Sequence, residues 1–191
     1  MANYSLSEII IGTRGSKLAL WQANFALNAL KERFPDFKFS IKIIETKGDK
    51  LLDTALYNIG DKGLFTKELE NELLDGTIDF AVHSLKDLQT ELPEGLKISA
   101  LMKRHNPCDV IIAKEKGITI DSMKYSAIVA TSSIRRIALL KNLRPDLNII
   151  DLRGNITTRI RKFEEGQFDY AILACAGLER IGLTDFISSY I

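Results

Sequence analysis

Hydrophobic positions recur along the chain with two spacings: short unbroken apolar runs, and longer stretches in which apolar residues return every three or four positions. The run EIIIG at residues 8–12 predicts a strand that ends in glycine. Residues 16–34 then place Leu20, Ala23, Leu27, Leu30 and Phe34 on one face of an amphipathic helix, which Pro35 limits. SIKIIET (40–46) predicts the next strand, KGLFTKELENELL (62–74) a helix, DFAVHS (79–84) a buried strand and LKISALM (96–102) an alternating one. After KRHNPCD the order restarts. VIIA (110–113) and AIVAT (127–131) read as strands, followed by a helix to about Leu143, a strand NIIDL (148–152), a helix over 156–165, a strand YAILA (170–174) and a helix from Gly177. Strands alternating with helices predict an α/β fold with parallel sheets covered on both faces. We place two α/β lobes at residues 1–103 and 104–191, with the boundary near 103–107. No low-complexity segment or close internal repeat stands out.

Ligands of such sheets bind beyond the C-terminal ends of the strands, often in a cleft between lobes. The turns at those ends share one chemistry. Arg14, Ser16 and Lys17 follow the first strand; His83, Ser84, Lys86 and Asp87 follow FAV; Ser132, Ser133, Arg135 and Arg136 follow AIVAT; Arg153, Asn155 and Arg159 follow NIIDL. Lys plus Arg total 26 against 25 Asp plus Glu, a net charge of +1, so the whole chain exerts no pull on nucleic acid or an anionic membrane. From Thr131 to Lys162, however, eight basic residues face two acids. Arg135 and Arg136 in a first helical turn, Arg14 beside another helix start and Arg159 near a third all oppose the helix dipole. Any one of them can be a solvated surface charge; together they predict a bound carboxylate or phosphate, served jointly by helix amides and guanidinium groups.

Other chemistries drop out. GTRGSK lacks the spacing of a phosphate loop, and no GxGxxG, HExxH or GxSxG occurs. Cys108 and Cys175, far apart and without a CxxC or histidine company, predict neither a disulfide framework nor a zinc site, and both read as small buried hydrophobes. No apolar run is long enough for a membrane helix, and the N-terminus lacks a secretory signal, so the chain reads as soluble and cytoplasmic. Asp87 is the one acid in the basic set. Neighbouring cations keep it ionised, and a fixed anion can stabilise positive charge developing on a substrate; a surface acid paired with Lys86 is the plainer reading.

GTRGSKLALWQA (12–23), KGLFTKELE (62–70), AVHSLKD (81–87), TSSIRR (131–136), LRGNITTRI (152–160) and ILACAGLERIGL (172–183) together resemble the hydroxymethylbilane synthase, or porphobilinogen deaminase, family. Six segments in the same order over nearly the whole chain carry the resemblance. It implies two lobes like those of type II periplasmic binding proteins, and a transferase of tetrapyrrole (porphyrin and heme) biosynthesis. Such an enzyme condenses porphobilinogen on a dipyrromethane cofactor with loss of ammonia. Each pyrrole carries an acetate and a propionate, which would answer the misplaced arginines. The resemblance makes Asp87 the catalytic aspartate that steadies the cation formed as ammonia leaves. It makes Lys86, Ser132, Ser133, Arg135, Arg136 and Arg159 cofactor contacts, and Arg14, Ser16, Arg153 and Arg180 contacts to the incoming or growing chain. Gln22, Lys62 and Phe65 match further cleft positions. The substrate implied is porphobilinogen, and no metal, nucleotide, nucleic acid or membrane is implied; the protein is expected to be a monomer.

The family continues with a strand that returns to the first lobe and a third domain whose cysteine anchors the cofactor. This sequence stops at Ile191, and neither Cys108 nor Cys175 sits in the context of that anchor. The expectation for these 191 residues alone is therefore a folded chain without attached dipyrromethane and without sustained turnover. A cytoplasmic two-lobe binding module for small organic polyanions is the alternative, and it would need the cations but not Asp87. Nucleic-acid binding fits poorly, because the cations lie at strand ends and no aromatic stacking platform accompanies them.

Overall fold

The computed structural model describes residues 8–50 and 63–191. Within them the chain forms two compact units, the first from residues 8–50 and 63–101 and the second from 102–191.

The first unit opens with β1 (Ile9–Thr13), α1 (Lys17–Arg33) and β2 (Phe39–Ile43), followed by the short α2 (Lys47–Lys50), α3 (Lys67–Leu74) and β3 (Phe80–Ala81). A 3-10 turn (Leu85–Asp87) completes it. Its sheet has the order β2-β1-β3 and is parallel throughout, with Ile11 opposite both Ile41 and Phe80. Both faces are covered. Ala23 and Leu27 of α1 pack on Ile11 from one side, and Leu69 of α3 packs with Ile44 and Ile78 on the other. The alternating strand expected at 96–102 is not formed. Its apolar side chains stay exposed, Ile98 at 49%, Leu101 at 71% and Met102 at 49%. Alternation alone does not make a strand, because the backbone needs a neighbouring ladder, and none among the described residues takes this segment.

The second unit contains β4 (Asp109–Ile112), β5 (Ile128–Ala130), α4 (Ile134–Leu143), β6 (Asn148–Ile150), α5 (Ile156–Glu164), β7 (Tyr170–Ala174), α6 (Cys175–Arg180) and, after a 3-10 turn (Thr184–Phe186), β8 (Ile187–Tyr190). The order is β6-β5-β7-β4-β8. Here the expectation of an all-parallel sheet needs correction. β6, β5 and β7 are parallel, but β4 runs antiparallel to both β7 and β8. No helix connects β4 to β5, so the crossover that would seat them side by side and parallel is missing, and β4 lies two places away. Apolar side chains fill both faces: Val110, Ile112, Leu173 and Phe163 on one, Ile111, Val129, Ile172 and Leu140 on the other. Burial on both faces is why these strands read as unbroken apolar runs.

Candidate active site

All three strands of the first unit end on one edge, so their following turns meet there. Ser16 caps α1, its hydroxyl accepting from the Ala19 amide at 3.3 Å. Arg14 leaves the same turn and forms an ion pair with Asp49 of α2, its Nε donating to Oδ2 at 3.2 Å. Asp49 is fixed in turn by the Thr46 hydroxyl at 2.8 Å. The Arg14 guanidinium also stands 4.3 Å over the Phe65 ring. Gly48 makes that packing possible, since a Cβ there would lie 2.2 Å from a ring carbon. Although desolvation opposes it, the hydrogen bonds from Arg14 and Thr46 and the Arg14 charge hold the Asp49 carboxyl below its ordinary value.

From β3 the chain passes through His83 and Ser84 into the 3-10 turn that carries Lys86 and Asp87, both exposed. The Asp87 amide donates to the Ser84 carbonyl at 2.9 Å. Gln22 of α1 donates to the Ser84 hydroxyl, also at 2.9 Å, tying the turn to the helix. Burial pushes the His83 imidazole below its ordinary value; the charges of Asp87 and Glu70 act upward on it, and that of Arg14 acts downward. His83 thus lies in the field of Arg14, Asp87 and Glu70. Arg14, Ser16, Gln22, Phe65, Lys86 and Asp87 all belong to the first unit, whereas Lys62 lies outside the described residues.

The second unit repeats the arrangement at the C-terminal ends of β5, β6 and β7. The Ser132 hydroxyl donates to the Leu152 carbonyl at 2.7 Å and accepts from the Leu152 amide at 2.9 Å, clipping the ends of β5 and β6 together. Ser133 caps α4, and Asn155 caps α5 by accepting from the Thr158 amide at 2.9 Å. Arg159 reaches back to the Gly154 carbonyl at 2.8 Å. Gly154 has φ +102°, and a Cβ there would stand 2.7 Å from the Thr158 methyl carbon, so this turn requires glycine. Arg153 is buried, and Arg180, at the end of α6, is half-buried.

The two adjacent arginines have different environments. Arg136 makes a fork on Asp109, with Nε to Oδ2 at 2.8 Å and Nη2 to Oδ1 at 2.5 Å, and donates through Nη1 to the Ile172 carbonyl at 3.0 Å. The chain itself therefore supplies an anion to this first helical turn. Arg135 is 76% exposed, 3.9 Å from the same carboxylate. Asp49 and Asp109, the internal counter-ions of Arg14 and Arg136, are the members of the site that the sequence reading missed. Asp109 opens a strand antiparallel to β7, which brings it to the edge where the parallel strands end.

Comparison with known proteins agrees with this architecture. Among solved structures, the probable amino-acid ABC transporter extracellular-binding protein ytmK of Bacillus subtilis superposes with a TM-score of 0.54 at 15% identity, covering 96% of this chain and 77% of that one. The OxyR2 regulatory domain of Vibrio vulnificus gives 0.52 at 12% identity, over 100% of this chain and 82% of that one. These likenesses establish the fold, that of type II periplasmic-binding-protein lobes. Sequence relatives are much closer. Porphobilinogen deaminase of Syntrophomonas wolfei is 55% identical over 97% of this chain and 60% of its own length. That of Pelotomaculum thermopropionicum is 54% identical over 96% and 59%. The chain thus spans about 60% of the length of these curated relatives. A family model described as porphobilinogen deaminase, dipyromethane cofactor binding domain, matches residues 9–191. With the match running unbroken through both strand-end clusters, this chain belongs to the porphobilinogen deaminase family.

Proposed function

We propose that the protein carrying this chain performs the porphobilinogen deaminase, or hydroxymethylbilane synthase, reaction: condensation of porphobilinogen units on a dipyrromethane primer with loss of ammonia. The observation that carries this reading is the solvent-exposed carboxylate of Asp87, held in a backbone-bonded turn and coupled electrostatically to His83. Loss of ammonia leaves a cation on the substrate, and an ionised carboxylate fixed beforehand stabilises it without reorganising. Arg14, Ser16, Gln22, Lys62, Phe65, Arg153 and Arg180 receive the acetate and propionate arms of the incoming units.

The donors of the second unit suit a group bearing several carboxylates: an exposed guanidinium on Arg135, the hydroxyl of Ser133, and two capped helix starts whose remaining amides favour anions. Ser132, Ser133, Arg135, Arg136 and Arg159, with Lys86 of the first unit, would hold dipyrromethane. When bound, that group supplies the nucleophilic pyrrole carbon. Arg136, already engaged by Asp109, contributes orientation and residual positive charge more than a free fork. We assign the work to the cytoplasm and to a monomer.

The test is incubation with porphobilinogen while ammonia and linear tetrapyrrole are both followed. Release of ammonia in step with tetrapyrrole formation supports the reading. Saturable binding of porphobilinogen that is returned unchanged would shift it to the polyanion-binding alternative.

A further inference from the structure

The chain passes from the first unit into the second along a segment, Lys97 to His105, that is exposed throughout and belongs to no strand or helix. Among the described residues no amide or carbonyl from Lys97 to Pro107 enters a backbone–backbone hydrogen bond. Regular pairing resumes at Cys108, whose carbonyl accepts from the Cys175 amide at 3.0 Å. Backbone without a ladder keeps its course only where side chains hold it.

The hold lies at the end of this segment. His105 Nε2 stands 2.7 Å from Glu179 Oε2 of α6. The Asn106 side chain donates to the same carboxylate, while its Oδ1 accepts from the Cys108 amide at 3.1 Å. Hydrogen bonds from Cys175, His105 and Asn106 and the charge of His105 hold the Glu179 carboxyl below its ordinary value, although desolvation opposes them. An ionised carboxylate only accepts, so the proton in the shared bond sits on His105 Nε2. Around the pair stand Cys175, a buried thiol pushed up to about 12 chiefly by burial, and Cys108, exposed where its sequence context predicts a buried residue. Tyr190 of β8 faces the same group, its hydroxyl pushed up by burial and by the charges of Cys175, Glu179 and Cys108. Arg180 follows Glu179 in α6. His105 is the member of this set whose charge changes in the neutral range.

We propose that His105 and Glu179 form a pH-sensitive clasp that fastens the segment leading into the second unit onto α6, and that the clasp tightens when the imidazole takes its second proton. With the ring neutral, the contact is an ordinary N–H···O bond. With the ring charged, it is a charge-assisted ion pair, which is shorter and stronger. The side chains of His105 and Glu179 are 38% and 26% exposed, so solvent screens the added charge and the closed-to-open ratio rises only about two- to fivefold. Closure also fixes Asn106, and through it the turn into β4, next to Asp109, the residue that holds Arg136. This inference is independent of the proposed function.

Hydrogen exchange of the Cys108 amide, which rests on Asn106, reads the clasp. It is followed in the wild type, His105→Gln and Glu179→Gln at about pH 5.5 and about pH 7.5, on either side of the range in which imidazoles titrate. Each rate is taken relative to the same amide in an unfolded chain at that pH, and relative to Ile111 and Ile172 of the buried sheet, whose amides report global opening. The expected result is Cys108 protection about two- to fivefold higher at the lower pH in the wild type, with no such rise in either variant. Wild-type protection that is flat or falls on acidification overturns the proposal, as does a rise that survives in either variant. The wild-type comparison decides it even if a variant fails to fold.

Discussion

Arg136 shows how a cation at the wrong end of a helix can be settled from within the chain. Its side chain is 14% exposed and that of Asp109 is 21% exposed, so the fork between them is neither a surface ion pair of negligible worth nor a fully buried one. Removing its negative charge leaves a mostly buried guanidinium poorly compensated. Asp109→Asn should therefore cost about 2 kcal/mol, between the exposed and buried limits. A urea midpoint shifted by that amount at unchanged slope supports this, and an unshifted midpoint refutes it. His83 offers a second test. Its folded value lies below the ordinary one, chiefly through burial, so the unfolded chain takes up the proton first. The stability involved is complete above about pH 6.5 and is lost as pH falls from there through the folded value. Because Asp87 acts upward on the ring, Asp87→Asn should move the NMR-detected His83 titration lower still. A midpoint that stays put or rises would separate the two residues. Chemistry at this scale was legible where residue type alone is telling, as with the Ser-Ser-Ile-Arg-Arg turn. Asp49 and Asp109 were not, since a carboxylate becomes a counter-ion only when strand register and a short helix bring it to the arginine.

Strand, turn and helix starts form one recurring element. Ser16, Ser133 and Asn155 each follow a parallel strand and cap the next helix through a side-chain oxygen. Asn155 also accepts from the hydroxyls of Thr157 and Thr158, at 2.7 and 3.0 Å. Asn155→Ala should cost about 1–2 kcal/mol and loosen the turn that presents Arg153 and Arg159. Thermal melts read the loss, and an unchanged melting temperature would contradict it. A related device recurs in each unit. Asp79 accepts from the Ile10 amide at 2.7 Å just before β3, and Asp169 accepts from the Ile128 amide at 2.8 Å just before β7. The matching sequences, TIDFAV and QFDYAI, share only the aspartate, the following aromatic and the alanine, too little for a repeat to be read without the paired geometry. Long amphipathic helices and two-sided apolar strands were legible from periodicity. β8, with its two serines, and the unformed strand at 96–102 were not, because each depends on whether a neighbouring ladder exists.

At the scale of the whole molecule, a net charge of +1 conceals a strong local asymmetry. Cations and hydroxyls gather where strands end, and acids such as Asp79, Asp146 and Asp169 serve the backbone at the opposite ends. Within each unit that polarity follows from its parallel strands, which carry the starts of α1, α4 and α5 to the edge where those strands end. Family membership was legible because five of the six motif segments lie on those turns; the mixed sheet of the second unit was not, since the direction of β4 leaves no mark on its own residues. The central claim is that the fixed charge of Asp87 drives the loss of ammonia. The most direct measurement is the rate of ammonia release from saturating porphobilinogen by the protein that carries these residues, compared with its Asp87→Asn variant. The account predicts a fall of about a hundredfold or more with substrate affinity changed only a few-fold; an Asp87→Asn variant that releases ammonia within a few-fold of the wild-type rate would contradict it.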